Sequence, residues 1–238
     1  DDAEKLAISI TQEVPSNEVG WKALWGILQK TGKIKESLTA IQKAAQLCPS
    51  DAKVHYSLGW TLLKNLRLGE AEKALRKAIA LKPDYAEALH YMGFTMQKLE
   101  RYEEAAANYL KAIASKPKYF KAHLNLGITF TKLGKFKKAE ESFREATQTN
   151  PDSYVAHLKL AGILYKQEKL KEAESSYRRV IALNVGVAAA YFDLGIVVQK
   201  LGRWEEALSL HIKAISLKEN FTEAYGNLRF ILQNINFK

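Results

Sequence analysis

The sequence predicts an all-α chain built from tandem copies of one 34-residue helix–turn–helix unit, and three observations carry that reading. All five prolines, Pro15, Pro49, Pro83, Pro117 and Pro151, fall on a single comb spaced by 34 residues. Small residues return with the same period: Gly59, Gly93, Gly127, Ala161 and Gly195 share one slot, and Ala71, Ala105, Ala139, Ala173 and Ala207 share another. Between these markers the apolar residues recur every three or four positions, as on one buried helix face. A fixed period of this length marks a repeat array, in which a unit buries its apolar face only by stacking on its neighbours.

Taken in order, residues 1–17 read as the second half of a unit, with Ala3, Ala7 and Ile10 in the slots of Ala139, Phe143 and Ala146. Full units follow at 18–51, 52–85, 86–119, 120–153, 154–187 and 188–221, and 222–238 reads as a lone first helix. The whole of 1–238 is thus expected to be one solenoid. Unit 120–153 shows the logic. His123, Leu126, Gly127 and Phe130 lie on one face of its first helix, which Gly134 ends by adopting left-handed geometry, as Gly32 and Gly202 do elsewhere. Its second helix, from Phe136, turns Ala139, Phe143 and Ala146 inward until Asn150-Pro151 stops it. Asp51, Asp84 and Asp152-Ser153 supply helix starts. Small residues let paired helices approach, and a ladder of Leu24, Leu58, Met92, Leu126, Leu160 and Leu194 fills the gaps. Trp25 and Arg229 break the glycine slot, and Val185 and Glu219 break the proline slot; locally weaker packing and looser turns are expected there.

The formal net charge of +10 is spread over the units, each between 0 and +4, so no basic block points to nucleic acid. Cys48 is the only cysteine, which excludes internal disulfides and fits a reducing cytoplasm. No apolar run reaches the ~18 residues of a membrane span. The chain begins Asp1-Asp2 with methionines only at Met92 and Met96, so a signal or anchor could precede it.

These slots carry a resemblance. The unit, with its small-residue clasp and its length, is similar to the tetratricopeptide repeat, and the likeness runs through the chain without an insertion or deletion. It implies a right-handed superhelix whose first helices line a concave groove that binds peptides. Two groove motifs of the family can be checked by residue. The carboxylate clamp is incomplete, because Lys22 is followed by Gly26 where the clamp has asparagine. The asparagine ladder of glycosyltransferase repeats is present in part, at Asn125 and Asn227 with Asp193 between them.

No catalytic constellation, metal site or cofactor motif is expected. His55, His123 and His157 share one core slot, His211 sits in the Phe143 core slot, and His90 projects from the other side of its helix. The informative face is the one that the clasp leaves over. Its first slot holds Lys22, Tyr56, His90, Leu124, Leu158 and Phe192; its second holds Gly26, Trp60, Phe94, Ile128, Gly162, Ile196 and Phe230. Contiguous apolar surface marks a binding site. A lysine ladder, Lys30, Lys64, Lys98, Lys132, Lys166 and Lys200, closes each first helix, where a cation also favours the helix dipole. The peptide-contacting set is therefore Tyr56, Trp60, His90, Phe94, Lys98, Asn125, Ile128, Lys132 and Phe192. The function expected is a protein-interaction scaffold for a peptide partner. Alternatives are the recognition arm of a larger enzyme such as a glycosyltransferase, or self-association through end-helix residues Leu228, Ile231, Leu232, Ile235 and Phe237.

Overall fold

The computed structural model describes residues 2–235, with the side chain of Ile235 excepted. The described residues are all-α, with fourteen helices and no strand. They fall into two compact units, one ending at Asn125 and one beginning at Leu126. The first holds α1 (Asp2–Glu13), α2 (Glu18–Lys30), α3 (Ile34–Leu47), α4 (Ala52–Lys64), α5 (Leu68–Leu81), α6 (Ala86–Lys98) and α7 (Tyr102–Ser115). The boundary falls inside α8 (Phe120–Lys132). The second holds α9 (Phe136–Thr149), α10 (Tyr154–Lys166), α11 (Leu170–Leu183), α12 (Ala188–Lys200), α13 (Trp204–Leu217) and α14 (Thr222–Ile235). In each, a helix packs on its hairpin partner and on the next helix in sequence; α4 also touches α6, and α10 touches α12.

Close approach explains the glycine slot. A Cβ at Gly127 would lie 2.5 Å from the Phe143 ring, and one at Gly93 would lie 2.8 Å from Tyr109. Trp25, in the same slot, is half-buried and hydrogen-bonds its Nε1–H to Thr61 Oγ1 at 2.9 Å. The hairpin turns are uniform even where glycine is missing. Gly32, Gly134 and Gly202 have positive φ, and so do Leu66, Glu100 and Glu168 in the same slot. At each, the next residue's N–H reaches back to the helix, as Arg67 N to Leu62 O and Lys135 N to Phe130 O, both at 2.9 Å.

Three local features depart from sequence expectation. Asp51 and Ser153 cap α4 and α10, but Tyr85 stands at the α6 cap, because Asp84 lies one residue too early. Ile231 is fully buried in unit two, while Leu232 is exposed and Leu228 half-buried. So the apolar set on α14 does not share one open face. Phe237 and the Ile235 side chain lie outside the described residues. The core-slot aromatic rings also do more than pack. Trp21 Nε1, and the Nε2 atoms of His55, His123 and His157, hydrogen-bond to the carbonyls of Pro15, Pro49, Pro117 and Pro151 at 2.7–3.0 Å. A carbonyl only accepts, so the histidine Nε2 carries the proton.

A second repeated contact joins successive copies through their second helices. Glu4 pairs with Lys33, Glu72 with Arg101, Glu140 with Lys169, and Glu174 with Arg203, always 29 residues apart. Leu38 and Ala106 occupy the acidic slot where the ladder skips. Burial would raise the Glu140 carboxyl, yet hydrogen bonds from Lys169, Arg144 and Gln167 hold it down at about 2.

Candidate functional site

The surface that the clasp leaves over is built from α2, α4, α6 and the start of α8 in the first unit. Trp60 on α4 and Phe94 on α6 are half-buried, in contrast to the buried Leu62, Leu63, Met92 and Met96 on the same helices. The lysine one turn on lies over each ring: Lys64 Nζ is 5.5 Å from the Trp60 centroid, and Lys98 Nζ is 5.4 Å from that of Phe94. Both lysines are exposed. The pairing follows from sequence, since i and i+4 share a helix face.

The neighbouring slot folds inward. His90, expected on the open side, is only 3% exposed. Its ring lies 5.6 Å from Tyr109 and 5.1 Å from Tyr119, because these large rings close over it from the adjoining helix and turn. Asn125 Nδ2–H donates to His90 Nε2 at 3.0 Å. Burial, then the positive charge of Lys121, pushes His90 down to about 4. Tyr56 joins this cluster, 5.0 Å from Tyr85 and 5.9 Å from Tyr91, and burial raises its hydroxyl pKa. Further toward the chain start the face is polar, with Lys22 paired to Asp51 at 3.1 Å and to Glu18 at 3.5 Å.

In the second unit, Ile128 is half-buried and Lys132 exposed, both beside a cavity of about 370 Å³. Leu158, Gly162 and Tyr177 also line it, with Asp193. Burial raises Asp193 to about 6, offset in part by the nearby Tyr177 hydroxyl. Phe192 is turned away into packing, 4.8 Å from Phe221 and 5.5 Å from His211.

Of the nine residues expected to contact a peptide, Trp60, Phe94, Lys98, Ile128 and Lys132 thus remain on open surface in their respective units. Tyr56, His90, Asn125 and Phe192 are engaged by neighbouring side chains. Sequence reasoning missed the cavity and Tyr177; its signal was Gly162, a glycine in a slot otherwise held largely by bulky residues. Among the described residues no group of three or more His, Cys, Asp or Glu is placed to hold a metal ion. No helix there is long and apolar enough to cross a membrane.

Comparison with known proteins agrees with this architecture. Family profiles described as tetratricopeptide repeat match residues 52–85, 120–153 and 152–220, and one described as TPR repeat matches 98–134. No curated protein matches the chain by sequence. Among solved structures, the chain is similar to YrrB, titled a TPR protein with an unusual peptide-binding site: 24% identity, TM-score 0.72, covering 80% of this chain and 98% of that one. It is also similar to pilF of Pseudomonas aeruginosa, at 21% identity and TM-score 0.75, covering 88% and 95%. A MamA structure matches at 20% identity and TM-score 0.66, covering 70% and 97%. At such identities these likenesses concern the fold alone. The repeat profiles, the uniform hairpins and the glycine clasp together make this chain a member of the tetratricopeptide repeat family.

Proposed function

We propose that this chain is a non-catalytic interaction module whose first-helix faces bind peptide segments of a protein partner. The observation that carries the reading is the pair of half-buried rings, Trp60 and Phe94, each flanked by an exposed lysine on the same helix. A purely solvated face would be polar, and a purely structural one would bury these rings as it buries Met92 and Met96. Aromatic anchors beside cations favour acidic, partly apolar segments, since the charge steers encounter and the rings supply contact area. YrrB, a TPR protein with an unusual peptide-binding site, supports peptide binding as a use of this fold, and we extend it to this chain as a reading. In this reading Ile128 and Lys132 provide equivalent contacts in the second unit, while Tyr56, His90 and Asn125 shape the wall beside Trp60 and Phe94.

Selection of a random peptide display library on the full chain tests the proposal, because the partner need not be known. Peptides should be enriched, and the Trp60→Ala/Phe94→Ala chain should bind those that use this face more weakly by about 2 kcal/mol or more, measured by calorimetry. If a folded double variant kept full affinity for every selected peptide, the assignment of Trp60 and Phe94 would be wrong.

A further inference from the structure

The cavity beside Gly162 is the space of a missing side chain. Its slot holds Trp60, Phe94, Ile128, Ile196 and Phe230 in other copies, and glycine again only at Gly26. Packing does not require glycine here. A Cβ on Gly162 would meet only the Tyr177 hydroxyl, at 3.9 Å, whereas one on Gly127 would collide with Phe143. Ile128 and Leu158 line the cavity together with Tyr177 and Asp193. One oxygen set is available there: an ionised carboxylate accepts several hydrogen bonds, and the Tyr177 hydroxyl beside it favours the charged form. Asp193 is half-buried, and keeping a carboxylate there opposes folding at neutral pH, as its raised pKa states. Groups held at such a cost tend to mark functional sites.

The mouth decides what can enter. Lys132, Lys159 and Lys166 line it and are exposed. Three cations outweigh one carboxylate, so an incoming lysine or arginine is repelled and an acidic segment is drawn in. An aliphatic or phenylalanine side chain would satisfy the walls but cover Asp193, leaving a buried acceptor unmet. An aromatic ring with a donor at its far edge satisfies walls, base and mouth together.

We propose that the cavity at Gly162 is a pocket for one tyrosine or tryptophan side chain of an acidic peptide segment, a refinement that rests on the first-helix face being a peptide-binding surface. The test is the same display selection run in parallel on the wild-type chain and on Gly162→Trp, which fills the pocket with the residue that Trp60 shows this slot accepts. Wild-type selections should enrich tyrosine or tryptophan flanked by Asp or Glu, and the variant should lose that class. A synthetic peptide from the class should bind Gly162→Trp at least about tenfold more weakly. Its tyrosine-to-phenylalanine analogue should be discriminated by the wild type and not by Asp193→Ala. Circular dichroism checks the fold, and Gly162→Leu serves if the tryptophan variant loses helix. Enriched peptides that lack this pattern, or that bind a folded Gly162 variant unweakened, overturn the pocket and leave the wider reading standing. Failure to enrich any peptide on the wild type overturns the wider reading, and the pocket with it.

Discussion

His211 is fully buried in the second unit, and neither of its ring nitrogens has a hydrogen-bond partner. It packs against Gly195 as Phe143 packs against Gly127, so the slot accepts a six-membered ring. An unmet buried polar atom costs about 1–3 kcal/mol. His211→Phe should therefore stabilise the second unit by roughly 1 kcal/mol or more, read as a higher urea midpoint by circular dichroism. A lower midpoint would overturn this assignment of His211. At this scale the sequence was informative about place. It set His55, His123, His157 and His211 in core slots, but could not tell the three that bond a proline carbonyl from the one that bonds nothing. That difference depends on whether a carbonyl six residues back faces the ring.

At the scale of elements, the six hairpin turns share one left-handed position, and three of them place a side chain there. Left-handed geometry costs an L-residue roughly 1–2 kcal/mol, and glycine avoids that strain at some cost in chain entropy. Leu66 is the cleanest case, because it is 82% exposed and its side chain contributes little packing. Leu66→Gly is expected to stabilise α4 and α5 by about 0.5–1 kcal/mol. Hydrogen exchange of amides in those helices should slow accordingly; unchanged or faster exchange would mean the strain is absent or outweighed. The turns at Gly32, Gly134 and Gly202 were legible because glycine advertises its φ. Those at Leu66, Glu100 and Glu168 become legible only when equal slots are compared, since nothing intrinsic to leucine or glutamate marks that geometry. The α6 cap shows the converse: Asp84 is a good helix-starting residue, displaced by one position from where the cap falls.

For the molecule as a whole, burial sets the response to acid. His90 titrates near 4 when folded, against ~6.5 for a free imidazole. As pH falls below ~6.5 the unfolded chain takes up the proton first, so stability present above that value is lost progressively down to about 4. This residue alone accounts for about 3 kcal/mol. Burial lowers His55 and His211 as well, with the same sign. Glu140, near 2, adds a further loss below ~4.3 as its ion pairs are protonated away. Asp193 works oppositely, since its raised pKa makes protonation favour the fold. The histidines outnumber it, and the urea midpoint is expected to be clearly lower at pH 4.5 than at pH 7. His90→Leu should remove part of the slope, and a slope left unchanged by that substitution would contradict the burial of His90.

Sequence by itself determined the all-α class, the 34-residue period, the hairpin clasp and the family, because repetition turns weak local signals into a consistent register. It also placed Trp60, Phe94, Lys98, Ile128 and Lys132 on the face that the clasp leaves over. Tertiary structure decided which members of that face stay open. Tyr109 and Tyr119 close over His90, and Phe221 receives Phe192. It likewise decided that the glycine at 162 leaves a cavity over Tyr177 and Asp193, while the one at 127 is filled by Phe143. Both outcomes turn on which large side chain a neighbouring helix brings within reach. Slot and period specify the backbone path, and the space between side chains exists only once those paths are packed.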